Sequence, residues 1–131
     1  MTNKTIALIG ATEKMGSQMA RRLAGQDNSL LLFSHEPVLL AQLISEIKNE
    51  HPNAIVESAG CEFEASWEAD IIIAAVPLQD VHEVAEKIRE VATQKIVAAV
   101  SDESVSELKK LLPYSQVIHA SKIEELIEQH F

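Results

Sequence analysis

The sequence predicts a doubly wound α/β fold: an all-parallel sheet of about six strands, in the order 3-2-1-4-5-6, with helices on both faces. Three observations carry that expectation. Short β-like runs alternate with helical patterns along the chain. Several of those runs are continuously apolar rather than alternating, which suits strands covered on both faces. A strong apolar run, a glycine and an amphipathic helix also follow one another at the start of the chain. Strand–helix alternation with parallel pairing and right-handed crossovers leads to this architecture.

The elements follow in order. TIALI at 5–9 is apolar and bounded by Gly10. A helix begins at Met15, with Met15, Met19, Ala20 and Leu23 sharing a face. SLLLF at 29–33 follows the turn signal GQDN. Pro37 stands early in the second helix, where a missing N–H costs little. Leu39, Leu40, Leu43, Ile44 and Ile47 form that helix's apolar stripe. AIVES at 54–58 follows HPN, and CEFEASWEA at 61–69 reads as a short helical turn whose Phe63 and Trp67 cap the core. DIIIAAV at 70–76 ends at Pro77. The helix after it carries Val81, Val84, Ala85, Ile88 and Val91 on one side and Glu83, Glu86, Lys87 and Glu90 on the other. KIVAAV at 95–100 ends at Ser101 and Asp102, and a shorter helix covers 103–112. SQVIHA at 115–120 is the sixth strand, and residues 121–131 form a helical tail.

A chain of 131 residues is one domain, here 1–131, long enough to bury a core without staples. Its hydrophobic content of 47% argues against disorder. The formal charge of −9 argues against nucleic-acid and anionic-membrane partners, because phosphate contacts need clustered Lys and Arg. The longest apolar run, IIIAAVPL, is far shorter than the ~20 residues a membrane helix needs. No signal peptide is legible, and the lone Cys61 forms no internal disulfide. Together these point to a soluble, cytoplasmic protein.

The sharpest chemical signal is GATEKMG at 10–16. Gly10 permits a tight turn after the first strand. Gly16 lets the helix sit close to the sheet, and its first N–H groups would face a phosphate. The context required of a dinucleotide turn, strand before and helix after, is met. The alternative is a domain of this type whose turn has lost its ligand. Glu13 puts a carboxylate where a pyrophosphate would lie. At the end of the second strand stand Ser34 and His35, with Glu36 two residues late for the acid that usually binds the ribose 2′-OH of NAD. A hydroxyl and an imidazole tolerate a 2′-phosphate, so NADP is expected ahead of NAD. The small strand end Ala75-Val76-Pro77 lets backbone pass close to a cofactor.

IALIGATEKMGSQMARRL, SWEADIIIAAVPLQDVHEVAEKI and LLPYSQVIHA together resemble the N-terminal NAD(P)-binding Rossmann domain of the 6-phosphogluconate-dehydrogenase-like superfamily. Within it the glycine spacing is similar to that of oxidoreductases near the deazaflavin-dependent NADP reductases and prephenate dehydrogenases. The resemblance covers about residues 4–120. It implies that Gly10, Ala11, Thr12, Glu13, Lys14, Met15 and Gly16 hold the pyrophosphate. Ser34 and His35 would lie by the adenosine ribose, and Ala75, Val76 and Pro77 would line the ribose–nicotinamide side. The sequence departs from the family in Glu13, where relatives commonly have glycine. It also departs in lacking the helical second domain, which the family places beyond the position of Phe131.

Hydride transfer needs a cofactor, a positioned substrate and usually an acid or base. His119, at the end of the sixth strand, is the catalytic candidate, since similar family members carry a His near this point. A structural His bonded to its own loop is the alternative reading. No metal-ligand cluster, Walker lysine or Ser-His-Asp spacing is legible. The expected function is therefore an NAD(P)-binding oxidoreductase domain, with a homodimer or a partner chain supplying the substrate side. The alternative is a non-catalytic dinucleotide-binding or interaction module with a degenerate phosphate turn.

Overall fold

The computed structural model describes residues 4–26, 28–123 and 125. Among the described residues six strands and five helices alternate: β1 (Lys4–Ile9), α1 (Lys14–Ala24), β2 (Asn28–Phe33), α2 (Pro37–Glu50), β3 (Ile55–Ser58), α3 (Glu62–Trp67), β4 (Ile71–Ala74), α4 (Leu78–Ala92), β5 (Ile96–Ala99), α5 (Asp102–Leu111) and β6 (Gln116–His119). A single 3-10 turn, Ala120–Lys122, follows. The strands form one sheet in the order β3-β2-β1-β4-β5-β6, and every pairing is parallel. The predicted fold class and strand order both hold.

The continuous apolar strands are explained by two separate cores. Side chains alternate across a strand, so a strand covered on both faces must be apolar at every position. Ile6, Leu8, Leu30, Leu32, Ile71 and Ile73 face α1 and α2. Ala7, Ile9, Phe33, Ile72, Ala74 and Val97 face α3, α4 and α5. At the amino edge, Asp70 ties β1 to β4. Its carboxylate accepts from the Thr5 N–H at 3.0 Å, and its own N–H donates to the Thr5 carbonyl at 2.8 Å.

Several sequence expectations are corrected. Phe63 and Trp67 do not cap the core. Trp67 is 62% exposed and Phe63 37%, and their rings lean on each other outside it. The inward side of α3 is instead Glu62, Ala65 and Ser66, which are buried. Met15 and Leu39 are exposed, at the ends of their helical stripes. The later strands are shorter than the apolar runs, since residues such as Ala75, Val76 and Val100 already belong to the loops at the carboxyl edge. The helical tail expected at 121–131 falls largely outside the described residues; Ile123 is buried in the α1–α2 core.

Lys95 holds α3 in place. Its ammonium donates to the Ser66 carbonyl at 2.7 Å and the Trp67 carbonyl at 2.9 Å, closing the last turn of α3. Burial lowers its pKa from the ordinary lysine value, and the charge of Asp70 partly opposes this. Lys95→Met should cost about 1–3 kcal/mol, because two carbonyls lose their charged donor. A urea midpoint equal to that of the unaltered chain would refute this role.

Candidate functional site

The site forms at the carboxyl edge of β1, where the strand order switches between β2 and β4. Gly10 ends β1 with φ +84°, and a Cβ there would stand 2.4 Å from the Ala75 carbonyl oxygen. Glycine is required on both counts: the left-handed backbone and the close pass of the β4 loop. Gly16 is required by contact alone. A Cβ at Gly16 would stand 2.1 Å from the Gly10 carbonyl oxygen, so α1 rests directly on the turn.

The hydrogen bonds of the turn separate scaffold from available donors. The N–H groups of Gly10 and Ala11 both donate to the Phe33 carbonyl, at 2.9 and 3.0 Å. That of Glu13 donates to the Gly10 carbonyl at 3.0 Å, and that of Ser17 to the Glu13 carbonyl at 2.8 Å. An α-helix leaves its first-turn N–H groups without intrahelical acceptors. At α1 these belong to Lys14, Met15 and Gly16, the donors suited to a phosphate. Glu13 is the residue before the helix. Its backbone is extended (φ −67°, ψ 158°), a conformation any residue adopts, and its side chain makes no capping hydrogen bond. The turn therefore tolerates Glu13 in shape. What remains is its charge.

Ser34 is buried and fully engaged. Its hydroxyl is 2.5 Å from the Thr12 hydroxyl and accepts from the Glu36 N–H at 3.0 Å. The Thr12 hydroxyl also reaches the Glu36 carboxylate at 3.3 Å. Ser34 thus joins the glycine turn to the loop after β2. His35 projects into solvent at the mouth of the cleft, its ring edge-on to Phe33 at 5.0 Å between centroids.

A cleft of about 280 Å³ opens here, lined by Gly10, Glu13, Ser34, His35, Glu36 and Val76 among others. Of the predicted residues, Gly10, Glu13, Ser34, His35 and Val76 line this cleft, and Ala11, Thr12, Lys14, Met15, Gly16, Ala75 and Pro77 do not. Ala75 is buried against Gly10, and Pro77 immediately precedes α4. His119 is not among the residues that line this cleft. It lies on β6, two strands beyond β4, with Nδ1 accepting from the Ser121 N–H at 3.1 Å and 3.0 Å from the Ser121 hydroxyl.

Sequence reasoning missed an acidic wall. Glu62, Asp80 and Glu83 line the same cleft. The Glu62 side chain is only 3% exposed, with an oxygen 3.4 Å from His35 Nε2 and 3.7 Å from Lys87 Nζ. Lys87 also pairs with Glu83 at 3.2 Å. The hydrogen bond to Glu83, then the charge of Glu62, raises the Lys87 pKa above its ordinary value. One signal was available. Glu62, Ala65, Ser66 and Ala69 fall at helical spacing, so a face of small residues turns Glu62 inward. Apolar weighting of the aromatic pair hid it.

Residues 5–103 match the family described as NADP oxidoreductase, coenzyme F420-dependent. No curated protein matches the chain. Among solved structures, a lactate dehydrogenase from a Medee basin deep-sea metagenome library is similar with TM-score 0.75 and 14% identity, over 99% of this chain and 51% of that one. A provisionally assigned F420-dependent NADP reductase from Arthrobacter sp. FB24 gives 0.70 and 19%, over 95% and 68%. Pyrroline carboxylate reductase of Plasmodium falciparum, solved with NADP bound, gives 0.62 and 17%, over 86% and 39%. The chain thus spans well under two thirds of the dehydrogenase and of the pyrroline carboxylate reductase. These identities establish the shared fold, and the family match covers most of the chain. The chain belongs to the family of coenzyme F420-dependent NADP oxidoreductases.

Proposed function

We propose that the chain is the nicotinamide-dinucleotide-binding domain of an oxidoreductase, with NADP ahead of NAD as its cofactor. The observation that carries this is the turn itself. Gly10 is left-handed against Ala75, Gly16 is packed on Gly10, and Glu13, the residue before α1, lines the cleft together with Gly10. The pyrophosphate rests on the N–H groups at the start of α1, flanked by residues 10–16. The adenosine enters the cleft between the β2 loop and α4, near Ser34 and His35. The nicotinamide side runs past Ala75, Val76 and Pro77. The family description favours NADP. So does the absence of an acid at the last position of β2, which is Phe33, with Ser34 next.

Bound dinucleotide would supply or accept the hydride. The chain's own residues bind and orient it. A small substrate is held with help from a second copy of this chain or from a partner chain. His119 is the candidate acid or base, acting through Nε2 because Nδ1 faces its own loop. Its low chemical commitment here makes the test simple: His119→Ala should slow turnover and leave dinucleotide affinity unchanged. Equal turnover in both proteins would reduce His119 to a loop cap. The described residues contain no helix long and apolar enough to cross a membrane. Cys61 is exposed and unpaired, which supports a reducing compartment such as the cytoplasm.

A second reading has a specific observation behind it. Five carboxylates, Glu13, Glu36, Glu62, Asp80 and Glu83, line the cleft. Such a wall repels an anion and favours a binding or interaction module with a degenerate turn. Thermal unfolding with NADPH and with NADH separates the two. Ligand at about 100 times its Kd should add roughly 2.7 kcal/mol of stability, a rise of several degrees in Tm. No rise with either dinucleotide at millimolar concentration would remove the cofactor reading.

A further inference from the structure

We infer that the cleft holds a divalent transition-metal ion, of the zinc class, between His35, Glu62 and Glu83. One ligand atom from each of these residues lies within 4.8 Å of the other two. The three come from different elements: the loop after β2, the first turn of α3 and the outer side of α4. Their convergence is therefore a product of the tertiary fold and not of helical spacing. The distance from His35 Nε2 to the Glu62 oxygen is 3.4 Å. Two donors bound tetrahedrally at ~2.1 Å from one ion are about 3.4 Å apart, so this pair already has the spacing of a coordination edge. Glu83 closes the set by a rotation of an exposed side chain.

The donor chemistry fits a borderline metal. One imidazole and two carboxylates, with open positions for water, suit zinc and its neighbours better than magnesium or calcium, which prefer oxygen alone. Two features hold the set. The Phe33 ring lies edge-on to the His35 imidazole, and the Glu62 carboxylate is 97% withdrawn from solvent in a wall it cannot easily leave. A buried carboxylate needs a cation. Lys87 serves that need in part, at 3.7 Å from Glu62 and 3.2 Å from Glu83. It also marks where positive charge sits among these groups. Its side chain is 44% exposed on a flexible stem, so an ion with two charges and directional bonds displaces it outward. Glu13, Glu36 and Asp80, on the same cleft, add a field that draws the ion in.

The ion and the adenosine would share this cleft, so the test is made without any dinucleotide. The full chain is titrated with Zn2+ by calorimetry and with Co2+ by visible absorption. The expected result is one ion per chain and Co2+ bands of mixed nitrogen and oxygen ligation. His35→Ala should weaken Zn2+ binding about tenfold or more, and Glu83→Gln likewise. Lys87→Met should tighten it several-fold, because the rival cation is gone. His35 and Glu83 are exposed, so both variants keep the fold, which the urea midpoint checks. Zn2+ affinity unchanged in His35→Ala would overturn the site, since the ion would then sit on other carboxylates. No binding by the unaltered chain at submillimolar Zn2+ would overturn it as well.

Discussion

Gly16→Ala should destabilise the chain by about 3 kcal/mol or more and abolish dinucleotide binding. The new methyl group would stand 2.1 Å from the Gly10 carbonyl oxygen, 3.0 Å from its carbon and 3.3 Å from the Ala11 Cα. All three are backbone atoms, so no side chain can turn aside to make room. Either α1 lifts from the sheet or the turn deforms. The first route loosens the contacts of Met19, Ala20 and Leu23 with the sheet; the second misplaces the donors of the phosphate site. The sign of the effect is decisive. On an exposed helix, glycine to alanine stabilises by up to about 1 kcal/mol. A more stable Gly16→Ala protein would mean that α1 does not rest on the turn. Chemical denaturation and an NADPH titration read the two halves of the prediction separately.

Glu13→Gln should tighten dinucleotide binding about fivefold. A unit charge about 6 Å from a phosphate charge costs roughly 1 kcal/mol at a wet surface. Glu13 lines the cleft and immediately precedes α1. Its backbone is extended, so nothing about the turn calls for glycine there. Glu13→Gly should then gain no more than Glu13→Gln, because charge is the whole difference. Raising the salt to about 1 M should shrink the gain, since screening reaches about 3 Å there. An affinity equal to that of the unaltered chain would show the carboxylate directed away from the phosphates.

The parts legible in the sequence were those set by strong local physics. After Thr5, Asp70 and Lys95, the runs IALI, IIIAAV and IVAAV are apolar at every position because both faces of the sheet are covered. Gly10 and Gly16 are glycines because carbonyl oxygens occupy the space a Cβ would take. The acidic wall was hidden for a different reason. On α4, Glu83 and Lys87 look like any solvated face. Only the tertiary approach of α3 and the β2 loop turns them into a cluster with Glu62 and His35. Phe63 and Trp67 show the opposite failure. Large aromatic residues suggest a core, yet α3 packs through alanine and serine and leaves its rings outside. Ser34 was placed beside the ribose by strand geometry, but its hydroxyl is spent on Thr12 and Glu36. A single residue's bonding partners across the fold are not written in its neighbours.

The central position of β1 has a consequence for how the chain is made. β1 pairs with β2 on one side and with β4 on the other, the latter joining Ile6 to Ile71. On the ribosome β1 emerges before β4, and its second edge stays open until some 65 further residues have been synthesised. During that interval Ile6, Leu8 and Ile9 border an unpaired row of backbone donors and acceptors. A nascent chain halted before β4 would therefore carry a sticky apolar edge. Fragments ending near residue 69 should aggregate, and those extending through β4 should do so less, since that strand fills the gap at the middle of the sheet.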